Sequence, residues 1–582
     1  MDKRCLPLKR GRKIKSLATF DIETKKDWAT FNFCGTYDGF DYRRFETPEE
    51  FLDFLLDKRH SRNHTVFFAH YNNFDSMFLM EILHEEGYKI KPIVSQGWLG
   101  LDIYEGRNKW SIRDSYALLP YSLDALMKTF KTKHQKVSLK DLDARNISDC
   151  IALYDILNKH FQNNLHGNYG ITYSQAAMTS FRKDFLKHTI EDNTKFDPYI
   201  RQAYFGGRTE IFQFNTDPDK RFYLYDVNSL YPAMMFNHNY PIGEFKRFPS
   251  DHNLYEIEGV AHVTVNDNLH FPLFPEFREK LLFMNKRKSG WYMLPFVRYA
   301  KSLGMDITIN KIYATSNYAP IFDKYIEHYY KIKKESKGKD PVSYLNAKLM
   351  MNSLYGKFGQ KLKQQVIEFN PDKRPDTYIP LTPDESIIKY ERDAFSSFIK
   401  PSIAAYVTSY AITTMHKYKN RLDPEIIFNM DTDSLYLSEK KLENSKKLGK
   451  MELENSVKGL MIFLPKAYIS DKKIKCKGVS IYDKDEDDKL VLNKQRVIDY
   501  FAGREVSYSR GIDKIKTAIR TGKWVKARTI KKSMKSCYDK RLMVGNMTFP
   551  LKSYGKNRNR ESWEAMRAEC NKILPSFLDE NF

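Results

Sequence analysis

Asp431 and Asp433 stand two residues apart between the apolar runs Ile426-Ile427-Phe428-Asn429-Met430 and Ser434-Leu435-Tyr436-Leu437. The pattern reads as a hairpin whose tip presents two carboxylates in place of ordinary turn residues. A third acid, Asp226, closes the run Phe222-Tyr223-Leu224-Tyr225 and leads into Val227-Asn228-Ser229-Leu230-Tyr231-Pro232. Near the N-terminus Leu17-Ala18-Thr19-Phe20 runs into Asp21-Ile22-Glu23, and strand alternation sets Asp21 and Glu23 on one side. Asp75 follows the run Thr65-Val66-Phe67-Phe68-Ala69-His70, and Asp149 opens the helical string Cys150-Ile151-Ala152-Leu153-Tyr154. Acids of this kind suit phosphodiester transfer or cleavage, which needs the attacking and leaving oxygens clamped by divalent ions held between a few carboxylates.

Such acids act only if rigid elements hold them at a cleft, and apolar strands are the elements the sequence offers. A helix is predicted from about Pro341 to Gln360, with Ala347, Met351, Leu354 and Phe358 as its inward stripe. Lys348, Asn352 and Tyr355 share the adjacent stripe, so a cation, an amide and an aromatic ring project together, a fit for a triphosphate and a base. Gly356 leaves room for close approach there. Breaks are expected around 166–170, 337–341 and 370–383, and the acidic run 483–488 reads as an exposed loop. The segment Arg510 to Arg541 is dense in Lys and Arg with Trp524 and Tyr538 interleaved, which suits a phosphate-gripping surface.

A chain of 582 residues exceeds what one core supports, so several packed units are expected. Its 96 Lys+Arg against 73 Asp+Glu give +23, a field that favours a long polyanion over a small neutral substrate. The six scattered cysteines form neither a zinc pattern nor a disulfide framework and fit a reducing compartment. The basic stretch Leu6 to Lys15 lacks the apolar core of a signal peptide, and no run is long enough to span a membrane. That stretch is a solvated tail, a DNA contact or a nuclear address, and the expected location is the host cytoplasm, or the nucleus of a eukaryotic host.

Asp226-Val227-Asn228-Ser229-Leu230-Tyr231-Pro232, Lys348-Leu349-Met350-Met351-Asn352-Ser353-Leu354-Tyr355-Gly356-Lys357-Phe358 and Asp431-Thr432-Asp433-Ser434 resemble, in order and spacing, the three polymerase motifs of family B DNA polymerases. The middle string is closest to the protein-primed branch of linear phage genomes, adenoviruses and linear plasmids. Tyr204-Phe205-Gly206-Gly207 and Lys466-Ala467-Tyr468 match two further elements of that branch. The resemblance implies that Asp226, the Val227 backbone and Asp433 ligate the catalytic metals with Asp431 nearby. It implies that Lys348 meets the triphosphate, that Asn352 and Tyr355 line the nascent base pair, and that Tyr231 excludes a ribose 2′-hydroxyl. Lys466, Tyr468, Tyr204, Gly206, Gly207 and Thr408 would contact DNA. The implied partners are template, primer, deoxynucleoside triphosphates and a separate terminal protein, with the chain a monomer or a heterodimer with that protein. Magnesium, two ions per site, is the implied cofactor, with manganese able to substitute.

Asp21, Glu23, Asp75 and Asp149 resemble the acids of the proofreading 3′-5′ exonuclease that accompanies this family, Asp21, Glu23 and Asp149 as metal ligands. The resemblance is imperfect. Arg145 stands where the family has a tyrosine, His70-Tyr71 replaces a His-Asn pair, Lys136 and Lys140 both fit the auxiliary lysine, and Ile412 takes the arginine position of Thr408-Ser409-Tyr410-Ala411-Ile412. The implied fold is a mixed α/β and α+β multidomain chain, a ribonuclease-H-like exonuclease followed by a right-hand polymerase. Expected boundaries are 1–190 exonuclease, 191–236 and 402–478 palm, 237–320 a first insertion that in this branch binds the terminal protein, 321–360 fingers, 361–401 a second insertion, and 479–582 thumb. Two rivals stand beside this reading, a nucleic-acid-primed polymerase and a catalytically silent DNA-end-binding relative.

Overall fold

The computed structural model describes residues 3–10, 14–27, 29–94, 97–138, 140–164, 170–393, 396–484, 490–512, 515–534, 537–556 and 558–582. Most of the first expected break (166–169), most of the acidic run (485–488) and part of the basic stretch (11–13) lie outside these residues.

In the amino-terminal unit, strand Ser16–Thr24 pairs in parallel with Thr65–Ala69, which pairs in parallel with Asn108–Asp114; Phe31–Tyr37 runs antiparallel on the other side of the first strand. Ala18, Phe20 and Ile22 join one core with Phe51, Met77 and Leu79, while Leu17 and Phe68 face another core with Leu153, Ile156 and Leu157. Burial on both faces explains why these strands read as continuous apolar runs interrupted only by the acids.

The second insertion is not a unit of its own. Its strands Lys363–Phe369, Ile379–Pro380 and Ile387–Asp393 extend the amino-terminal sheet to ten strands, joining it through Phe369 opposite Ile90. Lys89 and Lys91 reach Glu368 at 3.5 and 3.2 Å, and the Asn370 amide donates to the carbonyls of His84 and Tyr88. From the C-terminal region, Ile515, Ala518 and Trp524 enter the same core. The first insertion does form its own antiparallel sheet, with Glu258–Asp267 between Ile307–Thr315 and Lys286–Met293, and its core reaches Phe205 and Ile412.

The palm is a five-stranded antiparallel sheet, in the order Met451–Lys458, Arg221–Val227, Ser434–Leu437, Ile427–Asp431, Thr209–Ile211. Helix Pro341–Phe358 packs against helices Asp323–Ser336, Tyr173–Ser180 and Pro401–Lys419, with Ala347, Met351, Leu354 and Phe358 at most 1% exposed. Among the described residues no helix is long and apolar enough to cross a membrane.

Candidate active site

Neighbouring antiparallel strands bring Asp226 and Asp433 together. Asp226 lies opposite Ser434, and the Val227 amide donates to the Asp433 carbonyl at 2.9 Å. The turn between Asp431 and Ser434 is tight, because the Asp433 amide donates back to the Asp431 carbonyl and Thr432 takes a left-handed φ of 66°. Gly207 makes that turn fit, since a Cβ there would sit 2.6 Å from the Thr432 methyl. The acids line a cleft of about 380 Å³ together with Glu454, Lys466 and Tyr468. Burial, then the charge of Asp433, pushes the Asp226 carboxyl up to about 8; burial, then Asp431 and Glu454, raises Asp433. Asp431 is differently occupied: the Lys466 ammonium donates to both its oxygens at 2.7 and 3.0 Å, with Lys475 3.7 Å away.

The Tyr231 and Tyr355 rings stack at 4.7 Å, near enough to Asp433 for its charge to act on both hydroxyls, and Tyr204 lies close enough to Gly359 that a Cβ there would meet its ring at 2.6 Å. Lys348 and Asn352 are exposed on the same side of their helix as Tyr355. Gly206 has open space around it. Tyr468 is buried, its hydroxyl 3.4 Å from that of Tyr436.

The four amino-terminal acids also converge, from strand Ser16–Thr24, helix Asn73–Glu85 and helix Leu142–Lys159. Burial, then Glu23, Asp75 and Asp149, holds the Asp21 carboxyl well above its usual range. Burial pushes Asp75 up to about 7 and Asp149 up to about 6, the latter against the pull of Arg145 and Lys136. Of the two lysines that spacing left open, Lys136 is close enough for its charge to lower Asp149. The Asp75 carboxylate accepts from the Ile22 amide at 3.0 Å, and the Asn146 amide donates to the Asp21 backbone carbonyl at 3.0 Å and to its carboxylate at 3.3 Å.

The sequence pattern of DNA polymerase type B, organellar and viral, matches residues 56–149 and 147–446. The chain belongs to this family. A probable DNA polymerase of Ascobolus immersus is 26% identical over 561 residues, covering 78% of this chain, and the DNA polymerase of Bacillus phage phi29 is 24% identical over 547 residues, covering 81% of this chain and 87% of its own. The chain spans about half the length of the fungal relatives, 45% of the Ascobolus protein. Phi29 DNA polymerase complexed with primer-template DNA and incoming nucleotide shares the fold at a TM-score of 0.68 and 18% identity, over 90% of this chain and all of that one.

Within this member of the type B family, three groups near the palm carry no motif that sequence reading had singled out. Lys333, on helix Asp323–Ser336, donates to the Ser229 hydroxyl at 2.8 Å and lies near Asp226; a lysine among lysines gives no signal. Glu452 pairs opposite Asp226, and a bulge between Leu453 and Asn455 turns Glu454 into the cleft. Their Glu-x-Glu alternation could have been read as Asp21-x-Glu23 was.

Other expected contacts fall elsewhere. Thr408 is 4% exposed and its hydroxyl donates to the Ala405 carbonyl of its own helix, so it is not presented to a strand. Ile412 packs into the core of the first insertion, which accounts for an apolar residue at the arginine position. Trp524 and Tyr538 are buried: the tryptophan lies against Phe369, and the tyrosine hydroxyl bonds the Ile211 backbone, so neither is a surface ring between cations. Tyr71 takes a left-handed φ of 64°, donates its amide to Asp114 and stacks on Tyr116, while Asn72 is buried with its carbonyl accepting from Trp98.

Proposed function

We propose that the chain is a DNA-directed DNA polymerase with a 3′-5′ exonuclease, replicating a linear genome from a terminal protein. The observation that carries this reading is the meeting of Asp226 and Asp433 on hydrogen-bonded strands at the floor of a cleft. Members of the family generally use divalent metal ions. The palm residues fit such an ion: two hard carboxylates, crowded and partly buried, whose mutual repulsion a divalent cation relieves. Hard carboxylate oxygens suit magnesium, an ion that keeps water and substrate oxygens. Asp226, Asp433 and the Val227 carbonyl would hold it; bound there, it offsets charge on the attacking and leaving oxygens.

The remaining work belongs to side chains. Lys348 and Lys333 offer ammonium groups to a triphosphate beside helix Pro341–Phe358. The Tyr231 ring, braced by Tyr355, occupies space next to the sugar and excludes a 2′-hydroxyl. Lys466 holds Asp431 as an ion pair until a primer terminus competes for the ammonium. The products are an extended strand and pyrophosphate, whether the attacking hydroxyl is a primer 3′ end or a side chain of the terminal protein.

Primer extension with magnesium compares the parent with Asp433→Asn, and the substitution is expected to lower the rate by about a hundredfold or more. Equal product from both proteins would remove the assignment. Template-end initiation with and without the cognate terminal protein decides the priming mode.

A further inference from the structure

The amino-terminal carboxylate centre differs from the palm in what neutralises it. Arg145 and Asp149 stand one turn apart on helix Leu142–Lys159, the guanidinium Nε 3.7 Å from the Asp149 carboxylate, with side chains only 17% and 14% exposed. The next residue, Asn146, is bonded to Asp21, so this turn of helix is fixed against the strand that carries Asp21 and Glu23. Arg145 is also the strongest charged influence on Glu23 and lowers Asp21. One guanidinium is thus paired with Asp149, and its charge is felt at Asp21 and Glu23, in a place with little water to screen it. In the palm, the bonded ammonium of Lys466 sits on Asp431, and Lys333, whose charge is felt at Asp226, bonds the Ser229 hydroxyl instead.

The acids therefore carry charge that suits a metal pair, with a guanidinium already seated on one of them. We infer that Arg145 is a resident counter-cation of this centre, and that it weakens uptake of divalent ions there relative to the palm. The inference rests on reading the amino-terminal acids as a nuclease centre, but its readout is metal binding rather than hydrolysis. The guanidinium cannot lose its charge, so it repels an incoming divalent ion at every working pH and must be displaced from Asp149 for that carboxylate to ligate.

Manganese binding, followed by electron paramagnetic resonance on the full chain, tests this. In an Asp226→Ala background, which removes the palm centre, Arg145→Gln is expected to tighten binding on the order of tenfold, and Arg145→Lys to leave it near the parent value. Unchanged or weaker binding in Arg145→Gln would overturn the inference. Should that variant fail to fold, Asp226→Ala and Asp21→Ala report the two centres separately: the amino-terminal centre is expected to be on the order of tenfold weaker, and equal affinities would overturn the inference. Degradation of a single-stranded oligonucleotide is measured in parallel. If no variant hydrolyses it while the binding shift persists, the nuclease reading falls and the counter-cation stands.

Discussion

Tyr231 owes its place to the residues on either side of it. Ser229, in the left-handed region with φ 56°, ends the strand that carries Asp226 and starts the helix Leu230–Asn237, which turns the Tyr231 ring onto Tyr355. Shortening it to Tyr231→Ala is expected to admit ribonucleotides while deoxynucleotide incorporation persists, measured as the ratio of kcat/KM values for matched nucleotides; an unchanged ratio would remove Tyr231 as the gate. A second single-residue prediction concerns Glu210. It is 1% exposed, accepts from Arg208 at 2.9 and 2.6 Å, and lies 3.5 Å from Arg541, with Lys419 buried nearby between Phe212 and Phe271. Removing the one carboxylate leaves buried guanidinium groups uncompensated, so Glu210→Ala should cost about 3–5 kcal/mol in denaturant unfolding. Asp226 and Tyr355 were legible because one closes an apolar run and the other shares a helical stripe. Lys333 and Arg208 were not, because their meaning lies in what other segments bring to them.

At the level of elements, helix Pro401–Lys419 ties the palm to the first insertion. His416 on its last turns carries a proton on Nε2, since that nitrogen lies 2.7 Å from the Phe271 carbonyl, and its Nδ1 accepts from the Tyr299 hydroxyl at 3.0 Å. Burial holds this imidazole down at about 3, against 6.5 when unfolded. The folded state then binds fewer protons, so the stabilisation is whole above pH 6.5 and is lost as the pH falls toward 3. The slope is about 1.4 kcal/mol per pH unit in that window. Midpoints of chemical unfolding measured between those limits should fall less steeply for His416→Gln than for the parent. Strands and the main helix were readable from periodicity, and the Pro341–Phe358 boundaries came within two residues of expectation. The second insertion was not, because a strand run looks the same whether it founds a sheet or joins one; only Phe369 meeting Ile90 decides it.

For the molecule as a whole, a net charge of +23 coexists with a palm floor lined by acids. Binding to a primer-template is therefore expected to weaken steeply as potassium chloride rises, with a linear fall of log K against log salt whose slope counts phosphates neutralised. A slope near zero would mean that the basic surface does not grip the backbone. Composition pointed to this partner class, but the rings interleaved in 510–541 serve the interior: Trp524 joins the core of the amino-terminal sheet, and Tyr538 the core beneath the palm strand that carries Ile211.

That shared sheet restricts how the polymer can be divided. A fragment ending near residue 190 would strip Lys363–Phe369 from Lys89–Val94, baring the backbone of an edge strand and the apolar faces that Ile367, Phe369 and Trp524 cover. Unsheltered edges invite pairing with other chains. The amino-terminal unit is thus joined to the rest of the chain through one sheet and one core, and separating them by truncation would expose an aggregation-prone edge.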